Sequence, residues 1–211
     1  ISKTMVFKEP NINNFIKFTE AMFSTSKKSK LNQLFIIRYD SKIKSKLPKN
    51  IRDYLDNYEF EDKLSVINLN SSVNAIKKCL IVYGKNKYKN VSIKFGSLVS
   101  SKLSDGYWDL ISDFNKNDEF NFALGWGLDQ YKFNNFKNSK ILYLSHNINL
   151  NKLSSILAGV FYGKELINIP SSDMGPNALE ESFRNFSKYY GLSYNALKGQ
   201  KLIDNFPLIY N

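Results

Sequence analysis

The sequence predicts an α/β fold. Short runs rich in β-branched and aromatic residues alternate with longer stretches whose apolar residues recur every three or four positions. Proline, glycine and asparagine punctuate the joints, and neither an internal repeat nor a low-complexity linker breaks the alternation. In chain order, Asn11 to Phe23 predicts a first helix, with Ile12, Phe15, Ile16, Thr19 and Met22 near one face. Ser24 to Lys30 reads as a polar, basic loop and Leu34 to Tyr39 as a strand. Pro48 suits the start of a second helix running to about Asn57. Leu64 to Leu69 and Cys79 to Tyr83 predict two more strands. Val91 to Phe95 alternates apolar with polar residues, as a half-buried strand does. Tyr107 to Ile111 fits either strand or helix.

The second half is more helical. Phe120 to Phe133 predicts a helix with Phe120, Ala123, Leu124, Leu128 and Tyr131 inward. Gly125 and Gly127 each cost a helix roughly 1 kcal/mol relative to Ala, so another backbone is expected to approach them closely. Ile141 to Leu144 predicts a strand. A long helix from Asn149 to Asn168 follows, with Leu150, Leu153, Ile156, Leu157, Val160 and Ile167 along one stripe. Pro170 biases Ile169 away from helical backbone and ends that helix. Pro176 opens another at its first position, with Glu180 and Glu181 in or near the first turn. Leu179, Phe183, Phe186 and Tyr190 repeat at helical spacing, Lys188 falls in the last turn, and Gly191 is placed to cap it.

Composition narrows the class. The 211 residues are 43% hydrophobic and 15% aromatic, which excludes a disordered chain. A chain of this length buries about 70% of its unfolded surface, enough for a core without staples. The lone Cys79 excludes an internal disulfide and suits a reducing, cytoplasmic setting. The longest apolar stretch, Leu153 to Tyr162, is interrupted by serines and glycine and is too short to span a bilayer. A net charge of +11 raises a nucleic-acid or other polyanion partner. The lysines are scattered, in groups no longer than Lys27-Lys28 or Lys42, Lys44 and Lys46, so a solvated basic surface competes with that reading.

Three blocks of letters carry a resemblance. Asn168-Ile-Pro170, Ser172-Asp-Met174 and Pro176, followed by the helix ending in Gly191, form the first. Leu124-Gly-Trp-Gly-Leu-Asp-Gln-Tyr-Lys-Phe133 and Leu202-Ile-Asp-Asn-Phe-Pro-Leu-Ile209 are the others. In order and spacing they resemble the leucyl (cytosol) aminopeptidase family, in its N-T-P-A-N-D-M-G-P-x-x-L-E, L-G-W-A-L-G-x-Y-R-F and L-L-x-x-N-F-P-x-I segments. The resemblance is specific from about Phe120 to Asn211. It implies a macro-domain-like mixed sheet flanked by helices over residues 1–147. Residues 148–211 are then a connecting helix and the opening of a peptidase catalytic domain, with the boundary between Ser145 and Asn151. It implies a cytoplasmic homohexamer that removes amino-terminal residues from peptides with two divalent metals, zinc or manganese. The family's G-K-G-V-x-F-D-x-G-G and N-T-D-A-E-G-R ligand stretches do not occur, and the resemblance places them beyond Asn211. The 211 residues are therefore expected to serve assembly and active-site access without catalysing. A free-standing interaction domain is the third alternative.

The chain's own chemistry-bearing residues fit that expectation, and none is assigned as catalytic, cofactor-binding or metal-binding. His146, the only histidine, is expected in a loop and cannot build a histidine-rich zinc site or a triad. Cys79 lies in a run that reads as a buried strand, which is no place for a nucleophile. Gly163-Lys164-Glu165 shares two letters with the first ligand stretch but lies in a helix without the following aspartate. Glu59-Phe-Glu-Asp62, Asp118-Glu119 and Glu180-Glu181 read as helix starts or solvated faces, and Asp173 as a turn residue before Pro176. No glycine-rich phosphate loop occurs.

Overall fold

The computed structural model describes residues 10–26, 31–38, 40, 47–57, 67–68, 78–83, 90–133, 135, 137–144 and 148–210. Among the described residues six strands form one mixed sheet: β1 (Phe23–Ser24), β2 (Asn32–Arg38), β3 (Ile67–Asn68), β4 (Lys78–Tyr83), β5 (Gly106–Ser112) and β6 (Lys140–Tyr143). They lie in the order β1-β6-β5-β2-β4-β3, with every neighbour parallel except the antiparallel edge strand β3. Leu34 at the centre of β2 stands level with Leu110 on β5 and Cys79 on β4. Tyr107 to Ile111 is thus a strand.

A parallel strand flanked by helices must bury both faces, and β2 does. Leu34 and Ile36 point into the larger core, Phe35 and Ile37 into the smaller one, following the two-residue period of a strand. The smaller core is closed by α2 (Lys49–Asn57) through Ile51 and Leu55. The larger is closed by α1 (Ile12–Glu20), α3 (Ile93–Lys102), α4 (Lys116–Asp129) and α5 (Leu150–Asn168). Asn11 caps α1, Ser92 caps α3, Asn115 caps α4 and Asn149 caps α5, each through its side-chain oxygen.

Gly125 sits where α3 crosses α4: a Cβ there would stand 1.9 Å from the Ile93 carbonyl oxygen. Gly127 faces Leu157 in the same way, its Cβ meeting a methyl at 2.4 Å. Both helix-interior glycines therefore have the packing reason their cost demands, a backbone at one site and a buried side chain at the other.

Three expectations need correction. Val91 to Phe95 is not a strand: Ser92 accepts the Phe95 N–H and starts α3, which buries Phe95, Gly96 and Val99 at helical spacing. The α4 face is wider than expected, because Phe122 and Trp126 are fully buried. The single stripe on α5 divides: Leu153, Leu157, Ala158 and Phe161 face the core, while Ile156, Val160 and Ile167 lie exposed. Most of the expected strand Leu64 to Leu69 lies outside the described residues, as do Lys27-Lys28, Lys42, Lys44, Lys46, Glu59, Glu61, Asp62 and residues 145–147.

Candidate functional site

The polar groups of the helical layer gather at two seams. At the first, α4 hands over to α5. Glu165 is a buried carboxylate on the inner face of α5, and the Tyr131 hydroxyl donates to its Oε2 at 2.7 Å. The Asn168 amide donates to the same hydroxyl at 2.9 Å, and the Lys164 ammonium sits 5.1 Å from the Tyr131 ring centre. Burial, then the bond to Glu165, push the Tyr131 phenol up to about 12. Gly163-Lys164-Glu165 is thus part of a helix-to-helix clasp. Sequence reasoning passed over Glu165, although it falls four residues after Phe161, on the buried face.

The second seam lies under the start of β6. The Lys140 ammonium donates to the Ser100 carbonyl at 2.6 Å and stands 3.6 Å from the Asp129 carboxylate. Ser100 Oγ, Gln130 Nε2, Asn138 Oδ1 and, nearby on α4, Trp126 Nε1 are buried without a hydrogen-bond partner. This corner joins α3, α4 and the sheet, and its lysine pairs with Asp129.

The sequence-level candidates do not converge. Cys79 is 2% exposed, in β4. Asp118 takes part in the Asn115 cap of α4. Glu180 lies past the first turn of α6 (Pro176–Tyr190), where Lys198, with help from Arg184, holds its carboxyl below the usual range. Asp173 lies in an exposed turn whose backbone N–H reaches the Pro170 carbonyl. His146, Glu59, Glu61 and Asp62 lie outside the described residues. Among the described residues no three His, Cys, Asp or Glu side chains come together, so this donor set does not fit a two-metal centre.

What the carboxyl-terminal part does present is an apolar surface. Gly191, at φ +64°, ends α6 with Leu192 N–H bonded to Ser187 carbonyl at 2.8 Å, as the placement of that glycine predicts. Yet α6 turns Ser182 and Ser187 inward and leaves Leu179, Phe183 and Tyr190 exposed. Only Phe186 joins the core, stacking on Tyr162. Beyond it, α7 (Gln200–Asn205) and α8 (Pro207–Tyr210) follow, with Phe206, Leu208 and Ile209 open to solvent. The Lys198–Glu180 ion pair and Arg184 over Tyr194 tether this arm to α6.

No protein-family model and no curated protein matches the sequence. Solved structures do match. The cytosol aminopeptidase from Coxiella burnetii superposes with a TM-score of 0.66 at 21% identity, over 90% of this chain and 42% of that one. The leucyl aminopeptidase from Leishmania major in complex with actinonin gives 0.59 at 10% identity, over 93% and 47%. The bottromycin maturation enzyme BotP in complex with Mn gives 0.57 at 10%, over 82% and 40%. The chain thus spans less than half the length of each of these proteins. Its mixed α/β sheet with flanking helices is the fold of the amino-terminal part of the leucyl and cytosol aminopeptidases.

Proposed function

We propose that this chain is the non-catalytic, amino-terminal portion of an aminopeptidase that removes amino-terminal residues from peptides. Its role is assembly and control of access to a catalytic part that it does not contain. The supporting observation is that one likeness in fold covers 90% of the chain. The letter blocks at Leu124 to Phe133, Asn168 to Pro176 and Leu202 to Ile209 support the same reading. Residues 1–147 form the sheet-bearing domain, and residues 148–211 the connection and the opening of the catalytic domain. The exposed apolar residues of α6 and the arm after it are the surface against which that part packs. The enzyme is cytoplasmic and homo-oligomeric, a hexamer by resemblance. Its zinc or manganese ions are held by residues other than those described here, which offer no ligand set.

The test compares the chain alone with a chimera. In the chimera the chain is joined to the region of the Coxiella burnetii enzyme beyond the matched 42%. Both are assayed on leucine amide with added manganese, and both are checked for cooperative unfolding. Turnover is expected only in the chimera. Metal-dependent turnover by the chain alone overturns the non-catalytic reading. A folded, metal-loaded chimera without turnover overturns the aminopeptidase reading.

The charge of +11 supports a second reading, a module that binds a polyanion. Retention on heparin that survives beyond about 0.1 M salt would favour it; release below that leaves only general attraction.

A further inference from the structure

A cleft of about 560 Å³ opens between the first turn of α1 and the last turns of α6. That volume is in the range of small-molecule sites. Its walls are aromatic: Tyr162 from α5 stacks on Phe186 from α6 at 5.6 Å and 25°, and Tyr189 forms part of the rim. The Tyr162 hydroxyl is committed to the Ser182 carbonyl at 2.9 Å, and its ring, 5% exposed, reaches the cleft only at its edge. Besides Asn11, whose side chain caps α1, three polar side chains line the same space: the amides of Asn13 and Asn185 and the ammonium of Lys188. None of the three has a hydrogen-bond or ion-pair partner among the described residues. Among the described residues no carboxylate lines the cleft.

A flat apolar wall selects a flat apolar body, by stacking worth about 0.5–1.5 kcal/mol beyond simple burial. A cation beside two amides, with no acid among the described residues that line the cleft, selects a negative group that accepts hydrogen bonds. We infer that this cleft binds a small planar aromatic anion, its ring against Phe186 and Tyr162 and its acid group at Lys188 and the two asparagines. The site is independent of peptide hydrolysis. It bridges α1, which belongs to the sheet-bearing layers, and α6, whose own hold on that layer is little more than Phe186 and Tyr162. A bound ligand would therefore brace α6 on the body of the protein, and so set the position of its exposed face.

The experiment is titration calorimetry on the 211-residue chain in about 0.15 M salt, where general attraction to a basic protein is largely screened. The probes are 2-naphthoate, AMP and the neutral 2-naphthalenemethanol. At least one acid is expected to bind with a Kd below about 1 mM, and the neutral compound about tenfold more weakly. Which acid binds separates a carboxylate site from a phosphate site. Lys188→Gln should weaken the acid about fivefold or more. Asn185→Trp, on the exposed side of the helix, should fill the cleft and abolish binding while circular dichroism and unfolding stay unchanged. Equal affinity for the neutral compound refutes the site. So does binding that survives both variants, or an absence of heat with either acid at millimolar concentration.

Discussion

Replacing glycines by alanine in two neighbouring helices should shift stability in opposite directions. A helix-interior Gly→Ala change gains about 1 kcal/mol from backbone entropy and propensity where space allows. On α5 it does: nothing lies within 4 Å of a Cβ built on Gly159 or Gly163. Gly159→Ala and Gly163→Ala should each stabilise by about 0.5–1 kcal/mol. On α4 the same methyl at Gly125 would stand 1.9 Å from the Ile93 carbonyl oxygen and 2.8 Å from the Ser97 nitrogen. Both are backbone atoms of α3, so no rotamer change relieves the contact and the two helices must separate. Overpacking of this kind costs about 1–3 kcal/mol or more, and here it also strips contact from Phe95 and Phe122, which meet across the same crossing. The net for Gly125→Ala should be a loss of about 2 kcal/mol or more. Gly127→Ala meets only the Leu157 side chain and should lie between the two cases. Urea unfolding gives the order directly from the midpoints, provided the slopes agree. If Gly125→Ala is neutral or stabilising, α3 and α4 do not cross as described, and the correction of Val91 to Phe95 from strand to helix falls with it.

Leu157→Ala should cost about 2–5 kcal/mol, since the side chain is fully buried. In that background Gly127→Ala should lose most of its penalty, a coupling that a double-mutant cycle measures. The Tyr131 phenol, raised to about 12, keeps its proton in the folded state after the unfolded chain loses it near 10. That stabilisation is complete below pH 10 and is lost as pH rises towards 12, with a slope of up to about 1.4 kcal/mol per pH unit. Tyr131→Phe should flatten the fall across that window in denaturant titrations. It should also cost about 1–3 kcal/mol at neutral pH by removing a donor from the buried Glu165. Phe183→Ser, at a side chain 50% exposed, should change the stability of this chain by less than about 1 kcal/mol. In the chimera it should weaken assembly, measured by the protein concentration at which the oligomer dissociates.

What was readable from the sequence follows from how local the determinants are. The strands β2 and β4 announced themselves because a strand buried on both faces needs an unbroken apolar run, as in Leu34 to Ile37 and Cys79 to Val82. The ends of α5 and α6 were readable because Pro170, Pro176 and Gly191 act on their own backbone. Val91 to Phe95 misled because five residues of alternation fit the opening of a helix as well, and the deciding fact is the capping bond from Ser92, a helix start that sequence reasoning did not read there. Phe122 and Trp126 were missed because an amphipathic template admits one buried face, whereas α4 is enclosed by α3, α5 and the sheet. The clasp of Tyr131 and Glu165 joins residues 34 apart, and no local pattern signals such a pair.

The helix α6 shows a different limit of periodicity, and it is the one that bears on function. Its apolar stripe was read correctly as a stripe, but periodicity carries no information about which neighbour covers it. The structure puts Ser182 and Ser187 against the body and Phe183, Leu179 and Tyr190 towards solvent. Ser182 can be buried at low cost: its hydroxyl bonds back to the Ala178 carbonyl, and its own carbonyl takes the Tyr162 hydroxyl. The small inner face lets α6 lie close, while the bulky face is kept for something else. Ile156, Val160 and Ile167 on the outer side of α5 are also exposed, so two consecutive helices each turn apolar residues to solvent. The inner face of α5 completes the core around Trp126 and Phe161, and α6 adds only Phe186; their exposed residues have no such duty in it. A helix with a strong apolar stripe turned away from a finished core is the pattern of a surface shaped for association. The proposal that this chain contributes to assembly rests on that pattern.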